Sequence, residues 1–571
     1  MSMDFDQILV KVGGWGSYQK KRVILLLMVC SWVSVSGHYS LAFITLMPKF
    51  SCSDSNFNSN GTPSTLFNNS GTSSTTEDHC ELYAAFQKNL TQNPQLEPLK
   101  DGQCSKIGIW SYSGDSGKNI ITHYHLICDR EWLINVALTV YTVGDLLGML
   151  AMSILIDNIG RKKTFLLGVT VHIVFGSFSV SILNYYVFLV CRFFISFTPS
   201  FCFVSGFIYS LELVCPSKRS SVTAASQAIF TSSFGAMSLM AYFLGNWIHF
   251  GFAINVFPFL AGIAVYFFIP ESPRWLMSRT NQSGNSRHIQ KILSQIAKEN
   301  GATDLSNLRD LEAFLSDSTC LPTKKSNKAA LQKNSQLFEL FKSRVLRQRL
   351  AVITLLYLLM NFINHSLPYT VDHLPGNPYM VFCLYGLVEL PMTLLNWILI
   401  ERCGRVRMIT SLVSVAGVVS ILTAVLAPHS GLHDRANWGV ICAALLFRML
   451  MAVTYFITIQ FESEQFHTPA RGAAVGFSAL VARVAFVLLP LLRLAAEVDR
   501  YLPMIILGIG ALVSGFFCLL LPETTGKELP ETLIDAVNLG TVSTKTLFRN
   551  IGLTRGSTSK IKNNEKTFLA A

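Results

Sequence analysis

A chain of 571 residues that is 50% hydrophobic and only 14% charged is too apolar for a soluble globular protein, which carries roughly 25% charged residues. Its mean hydropathy of +0.41 points to a protein that crosses a membrane several times. The net charge of +12 does not call for a nucleic-acid partner, because basic residues beside membrane spans follow the positive-inside rule.

The chain opens with a short segment, 1–22, that ends in Lys20-Lys21-Arg22. The first apolar run starts near Val23, is long enough to span, and lacks a small-residue cleavage site, so it is expected to stay as a span. Twelve apolar segments follow from the pattern, each near the roughly 20 residues a crossing needs. They are predicted at 23–47, 132–156, 164–183, 186–211, 222–248, 251–269, 350–371, 379–400, 407–427, 437–461, 472–497 and 501–521. The expectation is an all-α membrane protein of two six-helix halves, 23–269 and 350–521, joined by a polar hinge, 270–349. A tail, 522–571, follows, polar and predicted to be disordered after Glu531.

The long loop 49–131 between the first two segments is rich in Ser, Thr and Asn. It holds sequons at Asn60, Asn68 and Asn89, and Cys52, Cys80, Cys104 and Cys128. In an oxidising compartment four cysteines read as two disulfides, with three pairings open. Charge places this loop outside. Arg161-Lys162-Lys163, Lys218-Arg219, Arg402, Arg405, Arg407 and Arg471 all fall in loops of one side, with Lys20-Lys21-Arg22. That side is cytosolic, and with it the hinge and both termini. The hinge, with 14 Lys/Arg against 7 Asp/Glu after Pro270, agrees, and its stretch around His288–Lys298 reads as an amphipathic helix on the cytosolic face. A fourth sequon at Asn281 then stays unused.

The two halves repeat each other. Pro270-Glu271 is answered by Pro522-Glu523 252 residues on, as are Glu212 by Glu464 and Arg219 by Arg471. Asp157 and Arg161 are answered by Glu401 and Arg405 at an offset of 244. Charged anchors recurring in order at a near-fixed spacing are an internal duplication. All ten residues, Asp157, Arg161, Glu212, Arg219 and Glu271 in one half and Glu401, Arg405, Glu464, Arg471 and Glu523 in the other, fall at cytosolic helix ends. They are read as a gate that latches the halves on one side and parts as they rock; plain orientation and capping is the alternative.

Four charges sit inside predicted spans: Asp145, Glu389, Arg448 and Arg483. A charge there is costly, about 2.5–3.5 kcal/mol on insertion scales, so it faces a cavity or a partner. Two pairings fit, Glu389 with Arg448 inside one half and Asp145 with Arg483 between halves. The other reading makes Arg483, whose guanidinium forks onto a carboxylate, a substrate contact, with Glu389 free to meet a cationic group. Phe230, Phe234, Tyr385, Tyr455 and Phe456 are the aromatic candidates. His38, His172 and His365 read equally as packing residues, with proton coupling as the alternative. No phosphate loop, metal-ligand pattern or nucleophile–base arrangement is present in the sequence, so no cofactor, no metal and no enzymatic activity is expected, and no ATP-driven pump.

Two six-span halves with a Gly-Arg loop after the second span of each resemble the major facilitator superfamily. The long first loop, Leu126 to Trp132, Pro270-Glu271-Ser272-Pro273-Arg274, Leu374-Pro375-Gly376-Asn377-Pro378 and Pro522-Glu523-Thr524-Thr525-Gly526 narrow it to one that resembles the organic cation, organic anion and carnitine transporter family, over residues 5–532. Ser153 and Trp397 replace the first glycine of the loop motif, Asn364-His365 stands where the family has a tyrosine pair, and Asp145 where it has an apolar residue. The resemblance implies arginine at the position of Arg483 in anion and carnitine transporters and aspartate in cation transporters. It implies a secondary or facilitative transporter of small organic ions in the plasma membrane, working by alternating access. Organic anions or zwitterions such as carnitine are favoured, with a coupling ion or exchanged anion beside the lipid bilayer. An organic cation transporter, or a non-transporting membrane sensor or scaffold of the same fold, is the alternative.

Overall fold

In the computed structural model the chain is described over 5–48, 50–54, 108–112, 118–182, 184–278, 285–301, 340–374, 376–399, 404–426, 438–499, 501–525, 530, 533–540 and 542. Helices occupy all twelve predicted segments. They are α1 (Ser17–Ile44), α2 (Trp132–Ile159), α3 (Arg161–Ser181), α4 (Tyr185–Ile195 continued by Ser205–Glu212), α5 (Arg219–Leu244) and α6 (Trp247–Phe268). After the hinge come α7 (Arg344–Ser366), α8 (Pro378–Leu399), α9 (Arg405–Leu426), α10 (Trp438–Glu464), α11 (Thr468–Phe486 continued by Leu489–Val498) and α12 (Leu502–Leu519). Ten are long and apolar enough to cross a membrane. The other two are α5, diluted by Ser and Thr, and α8, whose apolar described stretch is Pro378–Met392.

Within the first half α6 packs on α3 and α1 on α5, and within the second α9 packs on α12 and α7 on α11. Between halves, α5 packs along α8 and α2 against α11. The α5–α8 crossing is close because it is made by glycine. A Cβ on Gly386 would stand 3.0 Å from the Gly235 backbone nitrogen and 3.2 Å from the Thr231 carbonyl. Without a hydrophobic drive between helices in lipid, such small-residue crossings let dispersion hold the pair. At the end of the bundle that carries the long loop the halves also meet through side chains. The Tyr369 hydroxyl donates to the His38 carbonyl at 2.6 Å, Ser238 donates to the Tyr379 carbonyl at 3.0 Å, and the Phe43 and Phe382 rings lie 4.4 Å apart.

The duplication is visible as repeated turns. Gly160 (φ +104°) and Gly404 (φ +82°) turn the chain between the second and third helix of each half. Under each turn a carboxylate receives the first amides of the next helix. Glu271 accepts from Arg161 N and Lys162 N, both at 2.9 Å, and Glu523 from Arg405 N and Val406 N at 2.9 and 3.0 Å. An anion at a helix N-terminus satisfies orphan donors and meets the positive end of the macrodipole.

The fold is all-α, with one small addition in the long loop: Phe50–Asp54 and Gly108–Tyr112 pair antiparallel, with Cys52 opposite Trp110. The expected hinge helix is present as Asn285–Asn300. Its Ile289, Ile292, Leu293 and Ile296 are buried in one cluster with Ile8 and Val12 of the N-terminal segment and Leu213 of the first half, so its apolar face is spent on protein. One expectation, the disordered tail, needs correction. The tail is ordered in part: a short helix, Leu533–Asn538, docks on Arg349, which donates to the Ala536 and Gly540 carbonyls. Cys128 is disulfide-bonded. Asn60, Asn68, Asn89, Cys80, Cys104, Asn281 and Glu401 lie outside the described residues.

Candidate functional site

The four intramembrane charges are brought to the centre of the bundle and each finds a partner. On α2, Asp145 is fully buried and accepts from Arg483 Nη1 on α11 at 2.7 Å, across the two halves. Its second oxygen, Oδ1, has no hydrogen-bond partner among the described residues. In the second half, Arg448 Nη2 of α10 meets Glu389 Oε2 of α8 at 2.9 Å. The other arm of Arg448 donates to the side chain and carbonyl of Asn364 on α7. Gln227 of α5 reaches Glu389 Oε1 at 3.4 Å. Thus Asn364, at a position where the sequence departs from its resembled family, serves as an acceptor for a buried guanidinium. Burying ions without such partners costs several kcal/mol each.

Two histidines face each other above these pairs. His38 on α1 and His365 on α7 have ring centroids 5.5 Å apart. Each is tied by its Nδ1 to a tyrosine hydroxyl of the first half, His38 to Tyr141 at 2.6 Å and His365 to Tyr39 at 3.1 Å. His172 lies elsewhere, inside the first half between Ser36 and Thr198.

Of the aromatic candidates, Tyr455 is at the site. Its ring stacks on Tyr357 with centroids 6.0 Å apart, and its hydroxyl accepts from Asn361 at 3.2 Å. Phe456 adjoins it. Phe234 meets Tyr39 edge-on at 5.1 Å. Tyr385 is fully buried, and its hydroxyl has no hydrogen-bond partner among the described residues. Phe230 packs away from the pairs, against Phe203 of the first half.

The charges at the hinge end of the bundle form two clusters, one per half. Arg161 meets Glu212 at 3.2 Å and Asp157 at 3.4 Å, and Ser272 donates to Glu212. Arg405 meets Glu464 at 3.1 Å, and Thr524 donates to Glu464 at 2.6 Å. Arg471 donates to the carbonyl of Phe466, five residues before it. These contacts knit helices of the same half, so the ion pairs seen here do not bridge the halves as a latch would. Arg219 stands at the first turn of α5.

Three buried charges were not singled out by the sequence. Arg192 on α4 is 5% exposed, donates to Ser40 at 2.9 Å and lies over the Phe188 ring. Its signal was plain, one arginine in an apolar helix. Arg349, in the hinge range, and Glu462, two residues before the end of α10, looked like solvated helix ends and are instead fully buried.

Residues 131–490 match the family model described as Major Facilitator Superfamily. The chain is 28% identical over 543 residues to an organic cation transporter protein of Drosophila melanogaster, covering 94% of this chain and 95% of that one. It is 27% identical over 553 residues to a beta-alanine transporter of the same fly, covering 93% and 89%, and 26% identical over 555 residues to solute carrier family 22 member 1 of Oryctolagus cuniculus, covering 94% and 95%. Among solved structures, the inward open xylose transporter XylE from E. coli superposes with a TM-score of 0.54 at 12% identity, covering 89% of this chain and 98% of that one. These are transporters and not enzymes. The chain belongs to the Major Facilitator Superfamily and, within it, is similar to transporters named organic cation transporters and solute carrier family 22 members.

Proposed function

We propose that the chain moves small zwitterionic or anionic organic molecules across the plasma membrane by alternating access, with the Asp145–Arg483 and Glu389–Arg448 pairs as the binding centre. The observation that carries this reading is the composition of the centre: two carboxylates and two guanidiniums, neutral in sum. A zwitterion exchanges into such a site without leaving net charge buried. Its carboxylate takes the fork of Arg483 while its cationic group takes the carboxylates released or left half-satisfied, Asp145 Oδ1 first. Tyr455 and Phe234 supply aromatic faces. A beta-alanine transporter among the relatives supports a zwitterion, and carnitine is of the same class.

The halves join at the long-loop end, and at the hinge end α2 and α11 present exposed residues, Ile154 and Asp157 on one, Gly472 and Gly476 on the other. A Cβ added at Gly472 or Gly476 meets nothing within 4 Å. With the basic loops on the cytosolic side, this supports a form open to the cytosol with both termini there. The cluster in each half keeps its helix ends rigid while the halves rock about the centre. A cation substrate is the second reading, favoured by the unpartnered Asp145 oxygen and by relatives named organic cation transporters.

The test is uptake, per surface molecule, of carnitine, β-alanine, tetraethylammonium and benzoate. Uptake of the first two supports the zwitterion reading. Tetraethylammonium alone replaces it with the cation reading. No uptake of any probe by surface-resident protein overturns transport in favour of a sensor or scaffold.

A further inference from the structure

Among the described residues three carboxylates are buried inside the bundle: Asp145, Glu389 and Glu462. The first two hold arginines. Among the described residues Glu462 meets no cation: it is 0% exposed, and its carboxylate has only the Ser478 hydroxyl beside it. The charged groups around it are committed elsewhere. On its own helix Glu464 is taken by Arg405 and Thr524. From α7, Arg349 gives its amines to the carbonyls of Gln465, Ala536 and Gly540. From α11, Arg471 donates to Phe466, and Arg483 is held by Asp145. A hydroxyl of Ser478 on α11 stands beside the carboxylate but shares a 2.8 Å hydrogen bond with Thr354 of α7. Tyr357 of α7 and Tyr455 of α10, whose hydroxyls are 3.4 Å apart, lie within electrostatic reach of both Glu462 and Arg483.

A carboxylate sealed from water without a cationic partner is costly, and the cost is relieved by neutralisation. A metal cation would need several oxygens. Among the described residues no group of three His, Cys, Asp or Glu is placed to hold one, and the neighbouring hydroxyls are already joined to each other. A proton needs one oxygen.

We propose that Glu462 is a proton-binding site of the carrier, loaded when water reaches it and sealed as a neutral acid in the form described here, so that substrate movement is linked to proton movement. The step is simple in atoms: the Glu462 carboxylate and a hydronium ion give the carboxylic acid and water, and the reverse occurs when water reaches it from the other side. This rests on the reading of the chain as a transporter, and not on the charge of its substrate.

Two measurements test it. In purified protein at neutral pH, the infrared difference between wild type and Glu462→Gln should contain the carbonyl stretch of a protonated carboxyl, shifted in heavy water; Glu462→Asp should retain such a band. Identical spectra overturn the proton site, whatever the protein transports. In proteoliposomes, a gradient of one pH unit should concentrate a transported zwitterion about 10-fold for one coupled proton. Glu462→Gln should only equilibrate it, while substrate-for-substrate exchange persists. Full pH-driven accumulation by Glu462→Gln overturns the linkage. Accumulation driven by sodium in wild type and lost in the variant overturns the proton in favour of a metal cation. If no probe moves in wild type, the transport reading falls and the linkage with it, while the infrared band still decides the proton site.

Discussion

At the scale of the residue, the centre is two ion pairs, and they differ in what breaking them does. Glu389–Arg448 lies within the second half, whereas Asp145–Arg483 joins the halves. Removing one partner of a buried pair leaves the other uncompensated, at a cost of about 3–5 kcal/mol. Arg483→Asp should therefore lower surface expression strongly, since it sets two carboxylates together, and the swap with Asp145→Arg should restore it. Arg483→Lys keeps the charge but loses the fork, so uptake should fall in part at normal expression. Uptake per surface molecule separates the roles: full uptake of anions and zwitterions by Arg483→Ala at normal surface level would mean that the arginine is only the partner of Asp145.

Surface pairs obey other rules. Arg22 holds Glu299 of the hinge helix by two bonds of 2.8 and 2.9 Å, and this hydrogen bonding keeps the Glu299 carboxyl below its ordinary range. A carboxylate so held adds stability above its unfolded pKa, near about 4.3, and loses it as pH falls through the lower folded value. Docking of the hinge helix should therefore weaken only in acid. Hydrogen exchange of 285–300 measured against pH should show this, and Glu299→Gln should remove the dependence.

At the scale of the element, the α5–α8 crossing is set by glycine. Gly386→Val would push a branched side chain into the backbone of Gly235 and Thr231, whose nearest atoms stand only 3.0 and 3.2 Å from a Cβ. Overpacking of this kind costs about 1–3 kcal/mol. The variant should melt at lower temperature in detergent; an unchanged melting point would show that the helices part without cost. For the long loop, three sequons and four cysteines still predict external glycosylation. Gln at Asn60, Asn68 and Asn89 together should abolish the mobility shift seen on enzymatic deglycosylation, and a shift that persists would contradict the topology.

At the scale of the whole molecule, the duplication places the same device under each half, Glu271 beneath α3 and Glu523 beneath α9. Each caps one helix, so Glu271→Gln and Glu523→Gln should each cost about 1 kcal/mol. Because the clusters sit in separate halves, the double variant should be additive within about 0.5 kcal/mol. A coupling beyond that, measured as thermal stability in detergent, would show that they bridge the halves after all.

The sequence by itself determined the spans, the two halves and the four central charges, Asp145, Glu389, Arg448 and Arg483. Hydropathy is a property of roughly twenty consecutive residues, and a charge inside such a run demands a partner or a cavity whatever the fold turns out to be. Repeats at 252 and 244 residues needed no coordinates either. Which charge meets which was decided only in three dimensions. Asp145 and Arg483 are 338 residues apart, and both pairings and a free Arg483 were compatible with the pattern. The same holds for Glu464 and Glu462, neighbours on one helix. One faces Arg405, and the other turns inward with no ion-pair partner among the described residues. Helix end and helix interior look alike in sequence when the rotation of the helix against α7 and α11 is not known. That rotation is set by packing, and it makes one glutamate a strut between helix ends and seals the other inside the bundle.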